Sequence, residues 1–146
     1  MNAQKIENLY GKIGNTLNQM ISEDWSKVFM RAEIWSENNE GKEVSCTGAY
    51  YYYYSLEKNE YIYGYDDEDY CSLEEFKTLR RSLYKYCDEL WMKFVAQEQE
   101  PWSNFTFILT SEGKMKIDFA YDVLYELYDK YMSDEIEEIW KEKHLK

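Results

Sequence analysis

Near the amino terminus the apolar residues Ile6, Leu9, Ile13, Leu17 and Met20 recur at three- and four-residue spacing. That period predicts an amphipathic helix over residues 3 to 21, in spite of Gly11 and Gly14. From Lys27 the period drops to two, with Val28, Met30, Ala32 and Ile34 alternating with Phe29, Arg31, Glu33 and Trp35 as in a strand with one buried face. Glu37 to Lys42 reads as a turn. A second strand is expected from Val44 to Tyr54, and the phase set by Val44 and Cys46 places Tyr50 and Tyr52 inward and Tyr51 and Tyr53 outward. After a turn at Lys58 and Asn59, the segment Tyr61 to Tyr65 alternates again, with Ile62 inward and Tyr61, Tyr63 and Tyr65 on the opposite face. The short connections favour an antiparallel meander.

Asp66-Asp67-Glu68-Asp69 closes the meander, and Ser72 with Glu75 three residues later reads as a capping box that opens a long helix. Phe76, Leu79, Leu83, Cys87, Leu90 and Phe94, joined by Tyr86 and Trp91, form its stripe as far as about Gln97. Pro101 follows, and Pro101-Trp102 reads as a structural corner with a buried indole. Phe105, Phe107 and Leu109 lead into a turn at Ser111 to Lys114, and Met115, Ile117, Phe119 and Tyr121 lead away from it, which is a β-hairpin. Beyond Asp122 the chain is acidic and helical in pattern, with Ile136, Ile139 and Trp140 as a short stripe. The expected fold is α+β: an antiparallel sheet of about five strands, a meander plus a hairpin, packed on an N-terminal and a long central helix with a helical C-terminal tail. One domain is expected over residues 1–146.

Charge narrows the function more than composition does. Asp and Glu outnumber Lys and Arg by 29 to 17, and the net charge of −12 repels phosphate backbones and anionic lipid surfaces while drawing in a basic protein. Direct nucleic-acid and membrane binding are therefore not expected. Cys46, Cys71 and Cys87 form neither a disulfide framework nor a zinc pattern, and no apolar leader core opens the chain, so a reducing cytoplasm is the expected location.

No catalytic constellation emerges, and no enzyme activity or cofactor is expected. His144, the only histidine, sits in a charged tail where it reads as solvated. Cys46 and Cys87 fall on inward-facing patterns and read as core, while Cys71, beside the acidic loop, should have a raised pKa. Phosphate-cradling glycine loops are absent from the sequence, and Asp66 to Asp69 lacks the EF-hand pattern. Two readings fit that loop, a solvated connection and an acidic docking patch for the Lys and Arg side chains of a nuclease. Two also fit the tyrosines. Tyr51, Tyr53, Tyr61, Tyr63 and Tyr65 make either a contiguous exposed aromatic face for a partner or a face covered by the tail helix.

Glu100-Pro101-Trp102-Ser103, followed by Phe105, Phe107, Glu112-Gly113-Lys114, Phe119 and Tyr121-Asp122, resembles the E-P-W segment and hairpin of the YezG-type immunity proteins. Leu9-Tyr10, Trp25 with Lys27-Val28, and Leu90-Trp91 fall in the same order, so the resemblance covers roughly residues 1 to 122. It implies a cytoplasmic antitoxin that binds the nuclease domain of a secreted LXG-type toxin. The strand alternation and the acidic loop, read for themselves, make Tyr51, Tyr53, Tyr61, Tyr63, Tyr65, Asp66, Asp67, Glu68 and Asp69 the candidate partner-binding residues. The middle strands are richer in tyrosine than the family pattern and the tail differs from it, both being places where toxin specificity would vary. An acidic, DNA-mimicking regulator or adaptor of a basic nucleic-acid-binding protein is the alternative; a carboxylate-based metal hydrolase is the third reading.

Overall fold

The computed structural model describes residues 3–36, 44–96, 102–121 and 133–145. Its centre is strand β1 (Trp25–Ser36), which pairs antiparallel with β2 (Val44–Ser55) on one side and β4 (Asn104–Thr110) on the other. β3 (Glu60–Tyr63) extends the sheet beyond β2, and β5 (Met115–Ala120) extends it beyond β4, giving the order β3-β2-β1-β4-β5. Helices α1 (Ala3–Gln19) and α3 (Glu74–Ala96) cover one face. A 3-10 turn at Gly64–Asp66 and the short α2 (Glu68–Cys71) connect β3 to α3, and α4 (Ser133–His144) lies against the other face. The α+β architecture expected from periodicity is the one observed. Among the described residues no helix is long and apolar enough to cross a membrane.

The main core forms where the period-two face of β1 meets two helical stripes. Val28, Met30, Ala32 and Ile34 pack with Leu9, Ile13, Leu17 and Met20 of α1 and its end, and with Phe76, Leu83, Cys87, Leu90 and Phe94 of α3. Each large apolar side chain buried there contributes about 1.5–3 kcal/mol. Trp102 occupies the corner beyond α3: its indole packs edge-on against Phe105 and Phe94, and its carbonyl accepts the indole N–H of Trp91 at 3.0 Å. Pro101, the turn at Glu37 to Lys42, the chain from Asp122 to the start of α4, and the side chains of Trp35, Val44 and Cys46 lie outside the described residues.

The phase of β2 corrects the expectation for its tyrosines. Ile34 is opposite Cys46, but its neighbour Glu33 is opposite Gly48, so β2 carries one extra residue at this point. Such a bulge shifts every later side chain to the other face. Beyond it Met30 pairs with Tyr51 and Val28 with Tyr53, and these two tyrosines are 0% and 4% exposed within the main core, not on the outer surface. Tyr52 instead points to the opposite face, beside Phe29 and under Trp140 of α4. Tyr65 is a second correction. The strand stops at Tyr63, and the 3-10 turn sends Tyr65 back to the main core, where its ring meets Tyr51 at 5.1 Å and Phe76 at 6.0 Å.

Helix capping also differs from the expected Ser72 and Glu75 box. Asp67 caps α2 by accepting the Tyr70 N–H at 3.1 Å, whereas the Ser72 hydroxyl donates to the Asp69 carbonyl at 2.8 Å. The acidic loop thus begins its own helical turn before α3 starts.

Gly64 is fixed by packing. A Cβ there would stand 2.1 Å from the ring of Tyr51, and the ring has core on its remaining sides. Gly64→Ala should lower the unfolding free energy by about 1–3 kcal/mol in urea denaturation; an unchanged midpoint would mean that the ring can withdraw.

Candidate partner-binding surface

Carboxylates gather at one end of the molecule, where α1 ends, β2 ends and the loop after β3 passes. Asp66, Asp67, Glu68 and Asp69 are all exposed, as are Asp24 and Glu57. The loop is held rather than free. Asp67 uses one carboxylate oxygen for the α2 cap and the other to accept the Ser22 hydroxyl at 3.3 Å, which ties it to the α1–β1 connection. The Tyr70 hydroxyl donates to the Gln19 carbonyl, a second tie between the same segments.

Glu23 is the polar centre of this end. Its carboxylate accepts from the Ser55 hydroxyl, from the Tyr53 hydroxyl at 2.9 Å and from the Lys58 ammonium at 3.1 Å. The Ser55 hydrogen bond holds Glu23 below the ordinary carboxylate value, Tyr53 and Lys58 act in the same direction, and partial burial opposes them. Lys58 is raised by the same pairing, and Glu57 and Asp67 also act on it. Lys58 is therefore already engaged, and the outer carboxylates present their negative charge to solvent. Cys71, next to the loop, is pushed up by burial first and by Asp67 second, in the direction expected from its acidic surroundings.

The structure divides the five candidate tyrosines between the main core and the opposite face of the sheet. Tyr51 and Tyr53 are core. Tyr51 donates to the Met20 carbonyl at 3.0 Å and lies 3.4 Å from that of Gly64, and burial above all raises it and Tyr53. Tyr65 donates to the Ala49 carbonyl at 2.6 Å. Only Tyr61 and Tyr63 keep the expected side of the sheet, and both are half-buried, Tyr61 against Phe29 and Tyr54, Tyr63 against Tyr52 and Tyr65. Tyr63 is pushed up to about 12, by burial first and then by Glu137 of α4. A contiguous exposed face of all five does not exist.

On that second face α4 acts as a cover. Trp140 packs on Tyr52 and donates its indole N–H to the Thr106 hydroxyl at 2.8 Å, and the Tyr52 hydroxyl bonds Glu137. Ile136 is buried with Trp140, while Ile139 is 54% exposed, so only two of the three expected stripe residues face the sheet. His144 is half-buried rather than solvated, its ring 5.2 Å from that of Trp140. Beneath lies an ion pair that no pattern in the sequence marks, Arg31 with Glu33 at 2.6 Å, almost wholly shielded from water. Glu23 was equally unmarked, because it stands in a connection with no periodicity. Among the described residues no group of His, Cys, Asp and Glu is arranged to hold a metal ion.

Comparison with known proteins gives consistent relatives. The family model described as "Immunity protein YezG-like" matches residues 6–146. The "Immunity protein YezG" of Bacillus subtilis (strain 168) is 29% identical over 143 residues, spanning 96% of this chain and 87% of that protein. The protein of the same name from Bacillus spizizenii is 28% identical over 124 residues, 84% of this chain and 72% of that one. "Type VII secretion system protein EsaG" of Staphylococcus aureus (strain NCTC 8325 / PS 47) is 29% identical over 121 residues, 81% of this chain and 69% of that protein.

The Glu23 network has a pH signature. A carboxylate whose folded pKa is depressed adds stability above its unfolded value and loses it as pH falls through the folded one. The stability advantage of the native protein over Glu23→Gln should therefore be full at neutral pH and shrink as pH drops below about 4.5, measured by urea denaturation across pH. A difference independent of pH would contradict the network.

Proposed function

The chain belongs to the YezG-like immunity protein family, and from that premise we propose that it is a cytoplasmic antitoxin that neutralises a cognate secreted nuclease toxin. Neutralisation is by stoichiometric protein–protein binding, without catalysis by this chain and without a cofactor. The toxin is of the LXG type, and its nuclease domain is the basic partner. One relative carries a type VII secretion system in its name, which fits a toxin that leaves the cell by secretion.

The observation that carries this reading is the anchored acidic end. Asp66, Asp67, Glu68 and Asp69 stand exposed beside the Glu23 network in a chain of net charge −12. A nuclease must hold phosphates with Lys and Arg, and fixed carboxylates that reach those side chains compete with the nucleic acid for them. Fixing the loop in advance lowers the entropy lost on binding. Long-range attraction between opposite fields speeds encounter, an advantage for a protein that must reach the toxin before the toxin reaches DNA. Tyr61 and Tyr63, at the sheet edge beyond this loop, are the tyrosines that remain candidates for contact; Tyr51, Tyr53 and Tyr65 support the surface from beneath.

The test is DNA degradation by the purified nuclease domain of the cognate toxin, titrated with this protein. Complete protection at one equivalent is expected, and absence of both protection and complex would overturn the reading. Equal binding to several unrelated nucleases would instead favour the acidic mimic. Replacing Asp66, Asp67 and Asp69 together with Asn keeps the α2 cap, since Asn also caps well, and should slow association roughly tenfold at low salt with little change in dissociation.

A further inference from the structure

The acidic end continues into a groove. Gly11, Gly14, Asn15 and Asn18 lie on one stripe of α1 and face the β4–β5 hairpin across a cleft of about 310 Å³. A second cleft of about 560 Å³ runs on from Asn18 past Ser22, Glu23 and Asp24 to Leu56. The two adjoin at Asn18, Trp25 and Ser111, which line both. The Trp25 indole is half-buried and anchored by donating to the Asn18 side chain at 3.1 Å.

Three features of this groove are unexplained by folding. Two large apolar side chains stand exposed at its opposite ends, Met115 at 45% and Leu56 at 52%. Gly11 sits inside a helix, where glycine is a poor choice, yet a Cβ there would meet nothing within 4 Å. Packing does not require a glycine at this position. Finally, the Leu56 end is bordered by negative charge: Glu23 and Asp24 line it, and Asp67 is joined to it through Ser22.

An anchored aromatic in a largely polar groove, with exposed apolar side chains at its ends and a charged rim, has elements of the anatomy of a protein interface. We propose that this groove receives an extended segment of the toxin's nuclease domain, with an apolar side chain seated over Gly11 and Trp25 and basic side chains against the carboxylates at the Leu56 end. The inference rests on the neutralisation reading above and assigns its contact centre. Charge selects the occupant, because exposed Asp24 and the net charge of −12 favour a basic segment over a second copy of this acidic chain.

Gly11→Gln tests it without disturbing the fold. The new side chain enters empty space and improves the helix, so the thermal midpoint should hold or rise, while affinity for the cognate nuclease domain should fall at least about tenfold. Leu56→Asn, at an exposed position, should weaken binding similarly, and Met92→Gln, exposed on α3 and lining neither cleft, should leave it unchanged. If the native protein neutralises the toxin and both groove variants bind as tightly as it does, the groove assignment is overturned and neutralisation stands. If the native protein neither binds nor protects, the neutralisation reading itself has failed, and the toxin falls as the occupant.

Discussion

Tyr51 crosses from the sheet into the helical layer, where its hydroxyl donates to the Met20 carbonyl at the end of α1 and lies 3.4 Å from the Gly64 carbonyl where the acidic loop begins. Its ring fills the space that a side chain at residue 64 would need and packs against Tyr65. One buried side chain thereby sets the distance between the α1–β1 connection and the loop of carboxylates. The bonds from Tyr70 to Gln19 and from Ser22 to Asp67 then close the same gap at the surface. All of it depends on the bulge opposite Glu33 and Ile34, which turns Tyr51 inward.

The electrostatics of this end follow from that scaffold. Glu23 is ionised and committed to Ser55, Tyr53 and Lys58, so it organises the interior side of the surface. Exposed ion pairs contribute little each, so a tight complex needs a desolvated centre beside this charged rim. The channel past Trp25 is the nearest place that offers one. On the opposite face, α4 with Trp140 already occupies much of the aromatic surface around Tyr52, which leaves that face less available to a partner.

The helices, the hairpin and β1 were legible because each shows a contrast between apolar and polar positions at a clear period. Val28 to Ile34 against Phe29 to Glu33 is such a case: its inward residues form the main core, but Phe29, Arg31 and Glu33 are buried too, on the opposite face, so the expected single buried face is corrected to two. Tyr50 to Tyr54 offers no contrast, since identical residues occupy both faces, and the phase had to be carried forward from Val44 and Cys46. The bulge between them is a matter of pairing with β1, which a single strand does not display. The same holds for Tyr65, whose strand pattern continues in sequence while the backbone turns at Gly64. The Asp66 to Asp69 loop was legible as acid; its anchoring to Ser22 was not, because that contact spans 45 positions in the chain. Gly11 and Gly14 were visible only as exceptions within a helical pattern. Their position beside an open channel gives that exception a meaning.

Amide hydrogen exchange of this protein, free and bound to the cognate nuclease domain, addresses the central claim most directly. The account predicts new protection at Asn18 to Trp25 and at Asp66 to Cys71, with the outer turns of α4 unchanged. Protection confined to β3 and α4, with the acidic end exchanging as in the free protein, would contradict it.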